Sequence, residues 1–314
     1  MKNFVALPAL VTLLAFGAAG FPGATYTRCA QGEHNPSGNV FLNDAGFQDG
    51  ARLTLAQSGT NVALTYVDPN GLTWSLSLAA TAPTLATVTE KLQIVPGFRS
   101  LCVRGPGNES SYPASLTVMA GALSYDKGTA FLNVTGNLQS SAGECGTLSQ
   151  PRASFWLVCE DRQGGAVPSV NAKPAGVVQL AAGSYICSTQ VETLHAVNGR
   201  KQYVAGGGSG RLVLTRDGAN LTADYRDDPA LSGTLRFIAT SSMTASAETG
   251  QSLLSPCMSA MSTGGPSRKP QVLSIAAGSL SIIDSTLFLS FTGSMGDNTF
   301  CPGARLVGSV ICSK

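Results

Sequence analysis

Two aspartates at matching positions are the residues in this sequence best placed to do chemistry. Asp68 and Asp227 each follow a run of alternating apolar residues. A pair of carboxyl groups about 5–10 Å apart is the machinery of most glycosidases. The sequences that begin at these aspartates, DPNG and DDP, are also typical of turns, where Asp accepts hydrogen bonds from nearby backbone. The turn role is therefore the expected one, and a hydrolase built on these aspartates is the weaker alternative.

Other kinds of catalytic site have little support in the sequence. The two histidines, His34 and His195, do not align between the halves of the chain, and no GxSxG motif occurs. The run AGGGSG at residues 205–210 lacks the Lys-Ser/Thr of a phosphate-binding loop. No spaced set of Asp, Asn and Glu resembles a calcium-binding loop. We therefore predict a protein without a catalytic centre, a cofactor or a bound metal.

The eight cysteines divide into two sets of four with similar spacing. Metal ligation is disfavoured because close CxxC pairs are absent and the chain has only 2 His. Four cysteines allow three connectivities per set. In a closed barrel the first and last strands are neighbours, which would join the first cysteine of each set to the fourth. The disulfides predicted on this basis are Cys29–Cys159, Cys102–Cys145, Cys187–Cys312 and Cys257–Cys301.

The chain is a tandem duplication. GARLTLAQSGTNVALTYVD at residues 50–68 has a near-copy, SGRLVLTRDGANLTADYRD, at residues 209–227. A second match aligns residues 114–136 with 271–293, and both matches are collinear. A repeat of this length indicates a duplicated domain and not a solenoid. The predicted organisation is a signal peptide at residues 1–20, a first β domain at 24–161, a linker at 162–182 and a second β domain at 183–314.

Each copy shows the two-residue periodicity of half-buried strands. Ser58-Gly59 and Asp217-Gly218 separate alternating runs, as expected for tight hairpins. Eight or nine short strands per copy predict an all-β fold of two homologous antiparallel domains, each a β-barrel or a β-sandwich with two disulfides. Residues 83–93 and 247–261 are predicted to form a short helix or an irregular excursion in each copy.

The layout of each copy resembles the calycin barrels, the group of lipocalins and avidins. The resemblance consists of a tyrosine before the first cysteine, in YTRC and YIC, many amphipathic hairpins and a closing strand. The Gly-x-Trp motif that opens many calycins is absent. The resemblance therefore implies a barrel and no particular binding residues.

The N-terminal sequence predicts export. Lys2, an apolar run from Phe4 to Phe16 and the small residues that follow have the form of a secretory signal peptide. The apolar run is shorter than a membrane span, so we expect no stable membrane insertion after cleavage and a secreted, periplasmic or cell-surface location. The 20 Lys and Arg residues are scattered along the chain, which disfavours nucleic acid as a partner.

These observations favour an exported, non-catalytic binding protein. Its partner would be a small apolar ligand inside a barrel, or a protein or surface partner at the loop tips. A structural or adhesive component of the cell surface or envelope is the alternative. Aromatic side chains that could line a cavity, or form plain core, are Tyr66, Trp74, Phe155, Trp156, Tyr225, Phe237, Phe288 and Phe291. Sequons for N-glycosylation begin at Asn108, Asn133 and Asn220.

Overall fold

The structure is a computed structural model in which strands and short turns make up the described part of the chain. The described residues are 24–34, 48–82, 85–88, 93–103, 109–126, 128–140, 150–160, 180–193, 196–197, 200–201, 208–227, 231–248, 250–257, 269–283, 285–296 and 305–314. Within these ranges, we find no helix with the length and apolar character of a membrane span. The predicted signal peptide and most of the predicted linker lie outside the described residues.

The described residues of the first copy form nine strands. They are β1 (Ala24–His34), β2 (Gln48–Ser58), β3 (Asn61–Val67), β4 (Thr73–Ala82), β5 (Leu85–Val88), β6 (Gln93–Val103), β7 (Glu109–Asp126), β8 (Thr129–Ser140) and β9 (Gln150–Glu160). Neighbouring strands follow the chain order from β1 to β5, and β1 also pairs with β9, which is followed by β8 and β7. Pairing of β5 with one half of β7 closes a ring of eight antiparallel strands, and β6 pairs with the other half of β7.

The second copy repeats this arrangement. Its strands are β10 (Gly183–Thr193), β11 (Ala196–Val197), β12 (Arg200–Lys201), β13 (Gly208–Asp217), β14 (Asn220–Asp227), β15 (Leu231–Ala239), β16 (Thr244–Ala247), β17 (Ser252–Cys257), β18 (Lys269–Ile283), β19 (Thr286–Met295) and β20 (Arg305–Ser313). β14 pairs with both β13 and β15, which closes the ring, and β11 and β12 form a separate small hairpin. The fold is therefore two closed antiparallel barrels in tandem, and the barrel is the correct one of the two predicted architectures.

A disulfide joins the first and last strands of each barrel. Cys29 lies directly opposite Cys159 on β1 and β9, and Cys187 lies opposite Cys312 on β10 and β20. Both pairs are bonded and buried. The other two predicted disulfides, Cys102–Cys145 and Cys257–Cys301, lie outside the described side chains. Each described disulfide thus reinforces the ladder at which its barrel closes.

The hairpins form where the sequence predicts them. β2 and β3 meet across Gly59, and β13 and β14 meet across Gly218. Both glycines have positive φ, 60° and 59°, which tight hairpin turns require and which other residues adopt at a cost. Along β3 and β14 buried and exposed residues alternate. One face of these strands therefore lines the barrel interior and the other faces solvent.

In the described part of the two predicted excursions, strands take the place of a helix. β5 lies within the first excursion, which ends at the first residue of β6, and β17 lies within the second, which begins at the last residue of β16. β5 and β6 run one after the other in place of a single long strand, and so do β16 and β17. A glutamine side chain bonds the neighbouring strand, β4 or β15, between the two short ladders. The Gln93 amide makes two hydrogen bonds with the backbone of Ser77, and the Gln251 amide does the same with Arg236. At the same place in both barrels, a side-chain amide thus makes the two backbone hydrogen bonds that a residue of a paired strand would make.

Candidate functional site

Long connections concentrate at one end of each barrel, which we call the loop end. In the first barrel the chain leaves the sheet at this end after β1, β3, β6 and β8, and residues 68–72 are the described connection there. In the second barrel it leaves the sheet at this end after β10, β14, β17 and β19. Because recognition residues are usually carried on loops over a rigid scaffold, the loop ends are the first places to look for a binding site.

Asp68 at the first loop end holds a turn. Its carboxylate accepts hydrogen bonds from the backbone N–H groups of Asn70 and Leu72, at 2.8 and 2.7 Å. The backbone N–H of Gly71 also bonds the Asp68 carbonyl at 2.9 Å. This is the capping role expected of Asp in such a sequence. The contacts give this carboxylate a structural purpose.

Asp227 at the second loop end is bonded to a tyrosine. The Tyr225 hydroxyl donates to the Asp227 carboxylate over 3.3 Å, and both side chains are buried. Burial raises the pKa of Tyr225, and the charge of Asp227 and this hydrogen bond raise it further. Tyr66 shows the same effect, because burial and the charge of Asp68 raise its pKa. The repeated Tyr-x-Asp sequence is thus a buried structural element of both barrels.

Because the pKa values of these two tyrosines are raised, we expect the folded chain to lose stability at alkaline pH. The folded-state pKa values of Tyr66 and Tyr225 lie above the usual value of about 10. Above that pH the unfolded chain releases protons that the folded chain retains, so the stabilisation is complete below about pH 10 and declines as pH rises. Each tyrosine contributes a slope of about 1.4 kcal/mol per pH unit. Urea unfolding at several pH values above 9 measures this. The free energy of unfolding should fall less steeply with pH in the double variant Tyr66→Phe/Tyr225→Phe than in the parent chain, and equal slopes would contradict the prediction.

Most of the candidate aromatic residues form core. Tyr66, Trp74 and Phe155 pack together in the first barrel, with ring centroids 5.2 and 5.8 Å apart for successive pairs. Tyr225, Phe237 and Phe291 belong to the contiguous buried cluster of the second barrel. The described inward-facing side chains therefore fill the interiors with packed hydrophobic groups. Trp156 and Phe288 are exceptions, because they lie in separate clusters outside the two cores.

The two cores exchange a large residue for a small one. In the first barrel Phe155 lies opposite Val134, whereas in the second Gly308 lies opposite Phe291. A Cβ atom at Gly308 would overlap the ring of Phe291. The bulky side chain thus comes from the last strand in one copy and from its neighbour in the other, so the two copies fill equivalent space differently.

This exchange predicts strong coupling between Gly308 and Phe291. We expect Gly308→Ala to destabilise the second barrel by about 1–3 kcal/mol through overpacking, and Phe291→Val to destabilise it by about 1–3 kcal/mol through the lost burial. In the double variant the added methyl group occupies space that the ring has left. Its total loss of stability should therefore be smaller, by at least about 1 kcal/mol, than the sum of the two single losses. Guanidinium unfolding measures all three variants. Gly296→Ala is the control, since nothing lies near its added Cβ, and additive losses at Gly308 and Phe291 would refute the coupling.

The face where the two barrels meet is a structural site that sequence reasoning missed. Every residue from Thr129 to Gly136 on β8 and from Thr286 to Gly293 on β19 is buried. One face of each strand lines its own barrel, and the other packs against the neighbouring barrel. The signal was present in FLNV and FLSF, where apolar residues also occupy the outward positions.

Asn133 lies at the centre of this interface. Its amide nitrogen donates to the Ser290 hydroxyl at 2.9 Å, the Ser154 hydroxyl at 3.0 Å and the Phe155 carbonyl at 3.2 Å. Its amide oxygen accepts from the Ser279 hydroxyl at 3.1 Å. The side chain is fully buried. Asn133 therefore links both barrels through a satisfied polar network, and a glycan on this sequon would be incompatible with the interface, whereas Asn220 is exposed.

Apolar clusters flank Asn133 in a nearly twofold-symmetric arrangement. Phe131 shares a cluster with Ala277 of the second barrel, and its counterpart Phe288 shares one with Ala120 of the first. The central residue, Asn133, faces its own counterpart, Ser290. Equivalent surfaces of the two copies are therefore in contact, as in an isologous dimer.

The loop ends of the two barrels point in opposite directions. Asn133 contacts Ser279, and two residues further along Thr135 contacts Ser281. β8 and β18 therefore run in the same direction across the interface. The long β8–β9 connection follows β8, whereas the long β17–β18 connection precedes β18. Asp68 and Asp227 are consequently at opposite ends of the molecule and do not form the carboxylate pair of a glycosidase.

The remaining sequence candidates give no site within the described residues. The side chains of His34 and His195, the sequon at Asn108 and residues 205–207 lie outside them. Among the residues that the structure does describe, no group of three or more His, Cys, Asp and Glu side chains is arranged to hold a metal ion. Leu180, at the end of the predicted linker, is buried in the core of the second barrel.

Comparison with known proteins gives a weak structural likeness and no family. No family model and no curated protein sequence matches the chain. A DUF3598-family protein of unknown function from Nostoc punctiforme is similar at 10% identity and a TM-score of 0.26, covering 92% of this chain and 95% of its own. Transferrin-binding protein B from Haemophilus parasuis is similar at 11% identity and a TM-score of 0.30. The aligned region covers 92% of this chain and 59% of that protein.

Proposed function

We propose that this chain is an exported, non-catalytic binding protein that recognises a macromolecular partner through its loop ends. The observation that carries the proposal is the filling of both described barrel interiors by packed side chains. A preformed apolar cavity is the usual feature of a small-molecule site, so this packing favours the loops over the interior. The engagement of Asp68 and Asp227 in structural hydrogen bonds likewise supports binding over hydrolysis.

A photo-crosslinking amino acid at the first loop end tests this proposal. Asn70 is exposed there, and Thr60 is equally exposed in the turn at the opposite end of the same barrel. We expect the chain carrying the crosslinker at Asn70 to form a discrete adduct on intact cells of its own organism, and the chain carrying it at Thr60 to form none. Adducts of equal yield at both positions, or none at either, would reject recognition at the first loop end.

Native mass spectrometry separates the small-ligand form of the hypothesis from the macromolecular one. Protein purified from its own organism should carry no bound small molecule if the interiors serve only as core. A stoichiometric apolar molecule retained by the purified chain would favour the interior as the binding site and overturn the choice made above.

The opposed loop ends favour a second candidate, a structural or adhesive role. A rigid chain with recognition surfaces at both ends can bridge two partners, and bivalent attachment strengthens binding when both ends engage. Analytical ultracentrifugation with an isolated partner distinguishes the two functions. A complex with two partner molecules per chain supports bridging, and one with a single partner supports simple binding.

A further inference from the structure

The second barrel carries exposed cations and apolar side chains together on its outer surface, over β10, β13, β14 and β15. We call this surface the arginine face, and it consists of Ile186, Arg211, Val213, Asp224, Arg226 and Arg236. These arginines are scattered in the sequence, and strand pairing brings them together. Three arginines and one aspartate give the set a net charge of 3 − 1 = +2.

Two of the arginines are directly opposed. Arg211 on β13 pairs with Arg226 on β14, and like charges in this position repel each other. Arg226 contacts the Asp224 carboxylate at 3.4 Å with 79% of its side chain exposed, and Arg211 donates to the Ser184 hydroxyl at 2.7 Å. Arg226 therefore has a carboxylate partner, whereas the described contact of Arg211 is a neutral hydroxyl on the neighbouring strand β10, so the pair carries two cations and one described carboxylate contact.

Apolar side chains project beside these charges. Ile186 pairs with Arg211 across β10 and β13 and is 69% exposed. Val213, two residues after Arg211 on the same strand, is 38% exposed. Because the outside of a closed barrel is convex, these side chains protrude and do not line a groove. A planar, deformable surface suits such a face better than an extended peptide does.

The first barrel lacks this combination. Arg52, the counterpart of Arg211, lies opposite Val67 and not opposite a second arginine. Ser77 is the counterpart of Arg236, and where Ile186 precedes the first cysteine of the second barrel the first barrel has Arg28, which contacts the Glu160 carboxylate at 3.5 Å. The two faces share a scaffold, so the opposed arginines and the exposed isoleucine are a difference between the copies and not a requirement of the barrel.

We propose that the arginine face adsorbs the chain onto an anionic phospholipid surface. Guanidinium groups bind phosphate through paired hydrogen bonds and are weakly hydrated. Ile186 and Val213 would enter the boundary between headgroups and acyl chains, as the apolar residues of interfacial proteins do. The association is peripheral, and it is independent of recognition at the loop ends.

Vesicle co-sedimentation of the full chain tests the proposal. We expect binding to vesicles of equal parts phosphatidylglycerol and phosphatidylcholine, little binding to phosphatidylcholine alone, and a decrease at high salt. Each juxtamembrane cation contributes about 1 kcal/mol, so Arg226→Val should weaken binding about fivefold and Arg226→Val/Arg236→Ser about thirtyfold. Both substitutions introduce the residue found at the equivalent position of the first barrel, which protects the fold.

Arg52→Val is the matched control, because it removes one cation from the equivalent face of the first barrel. It should change vesicle binding less than twofold, and Ile186→Thr should weaken binding without changing its salt dependence. Equal binding to both vesicle types, no binding to either, or equal losses for Arg52→Val and Arg226→Val would overturn the proposal. Retention on immobilised polyglutamate without vesicle binding would overturn it in favour of an acidic protein.

Discussion

Replacing the disulfide of the first barrel by Cys29→Ala/Cys159→Ala is expected to lower its free energy of unfolding by about 5 kcal/mol. The bond joins residues that are 130 positions apart, and in the chain-entropy description a loop of this size contributes about 5 kcal/mol by restricting the unfolded chain. The folded barrel retains the hydrogen-bonded ladder between β1 and β9. The variant should therefore fold and unfold at lower denaturant concentration.

Fluorescence of Trp74, in the core of the first barrel, follows this barrel in a Trp156→Phe background, because Trp156 lies in a cluster shared with the second barrel. The chain has 2 Trp residues, and both Trp74 and Trp156 belong to the first barrel. Guanidinium unfolding of the double variant should show an early fluorescence transition. Cys187→Ala/Cys312→Ala is the matched control, since it opens a similar loop of 125 residues in the second barrel. A fluorescence midpoint that moves equally in both variants would show that the barrels unfold as one unit.

Asn133→Asp is expected to destabilise the folded chain by about 3 kcal/mol at neutral pH. The substitution keeps the shape of the side chain but replaces both N–H donors by a carboxylate oxygen. The Phe155 carbonyl then faces an oxygen in place of a donor. Leaving a buried acceptor unpaired costs about 1–3 kcal/mol, and burying a charge without a cation adds to this cost.

The sign of the pH dependence identifies the cause. Burial raises the pKa of the introduced carboxyl group above its unfolded value of about 3.9. The folded chain then binds a proton more tightly than the unfolded chain, so the variant is least destabilised below about pH 4 and loses stability as pH rises. Urea unfolding at acid and neutral pH checks this. Asn220→Asp, at the exposed first residue of β14, should differ from the parent by less than about 0.5 kcal/mol. A pH-independent loss at Asn133 would point to packing alone.

The sequence predicted the features that depend on one barrel at a time. The alternation in β2 and β3, the glycine turns and the pairing of Cys29 with Cys159 all follow from a single closed sheet. The burial of Asn133 does not, because a polar residue at an outward position of a strand normally meets water. Only the second copy, packed against that face, changes its environment. Sequence periodicity contains no information about which outer face a neighbouring domain covers.

The short strand β5 was missed for a related reason. PTLATVTEKLQ has no clear alternation, and within it the structure describes only the four residues of β5 and Gln93, the first residue of β6. The role of Gln93 depends on its distance from the Ser77 backbone, which closure of the barrel sets. A glutamine in an irregular stretch gives no sign of this role until its counterpart, Gln251, is found at the same place.

The contact between Asn133 and Ser290 has a consequence for how such a chain can evolve. In a dimer of identical subunits, a residue on the symmetry axis must face itself, so an asparagine would meet an asparagine. Joining the two copies in one gene removes that restriction, and each side of the axis can change independently. An amide and a hydroxyl now form a donor–acceptor pair there. Two linked copies can thus hold a chemical asymmetry at the central contact that no homodimer could encode.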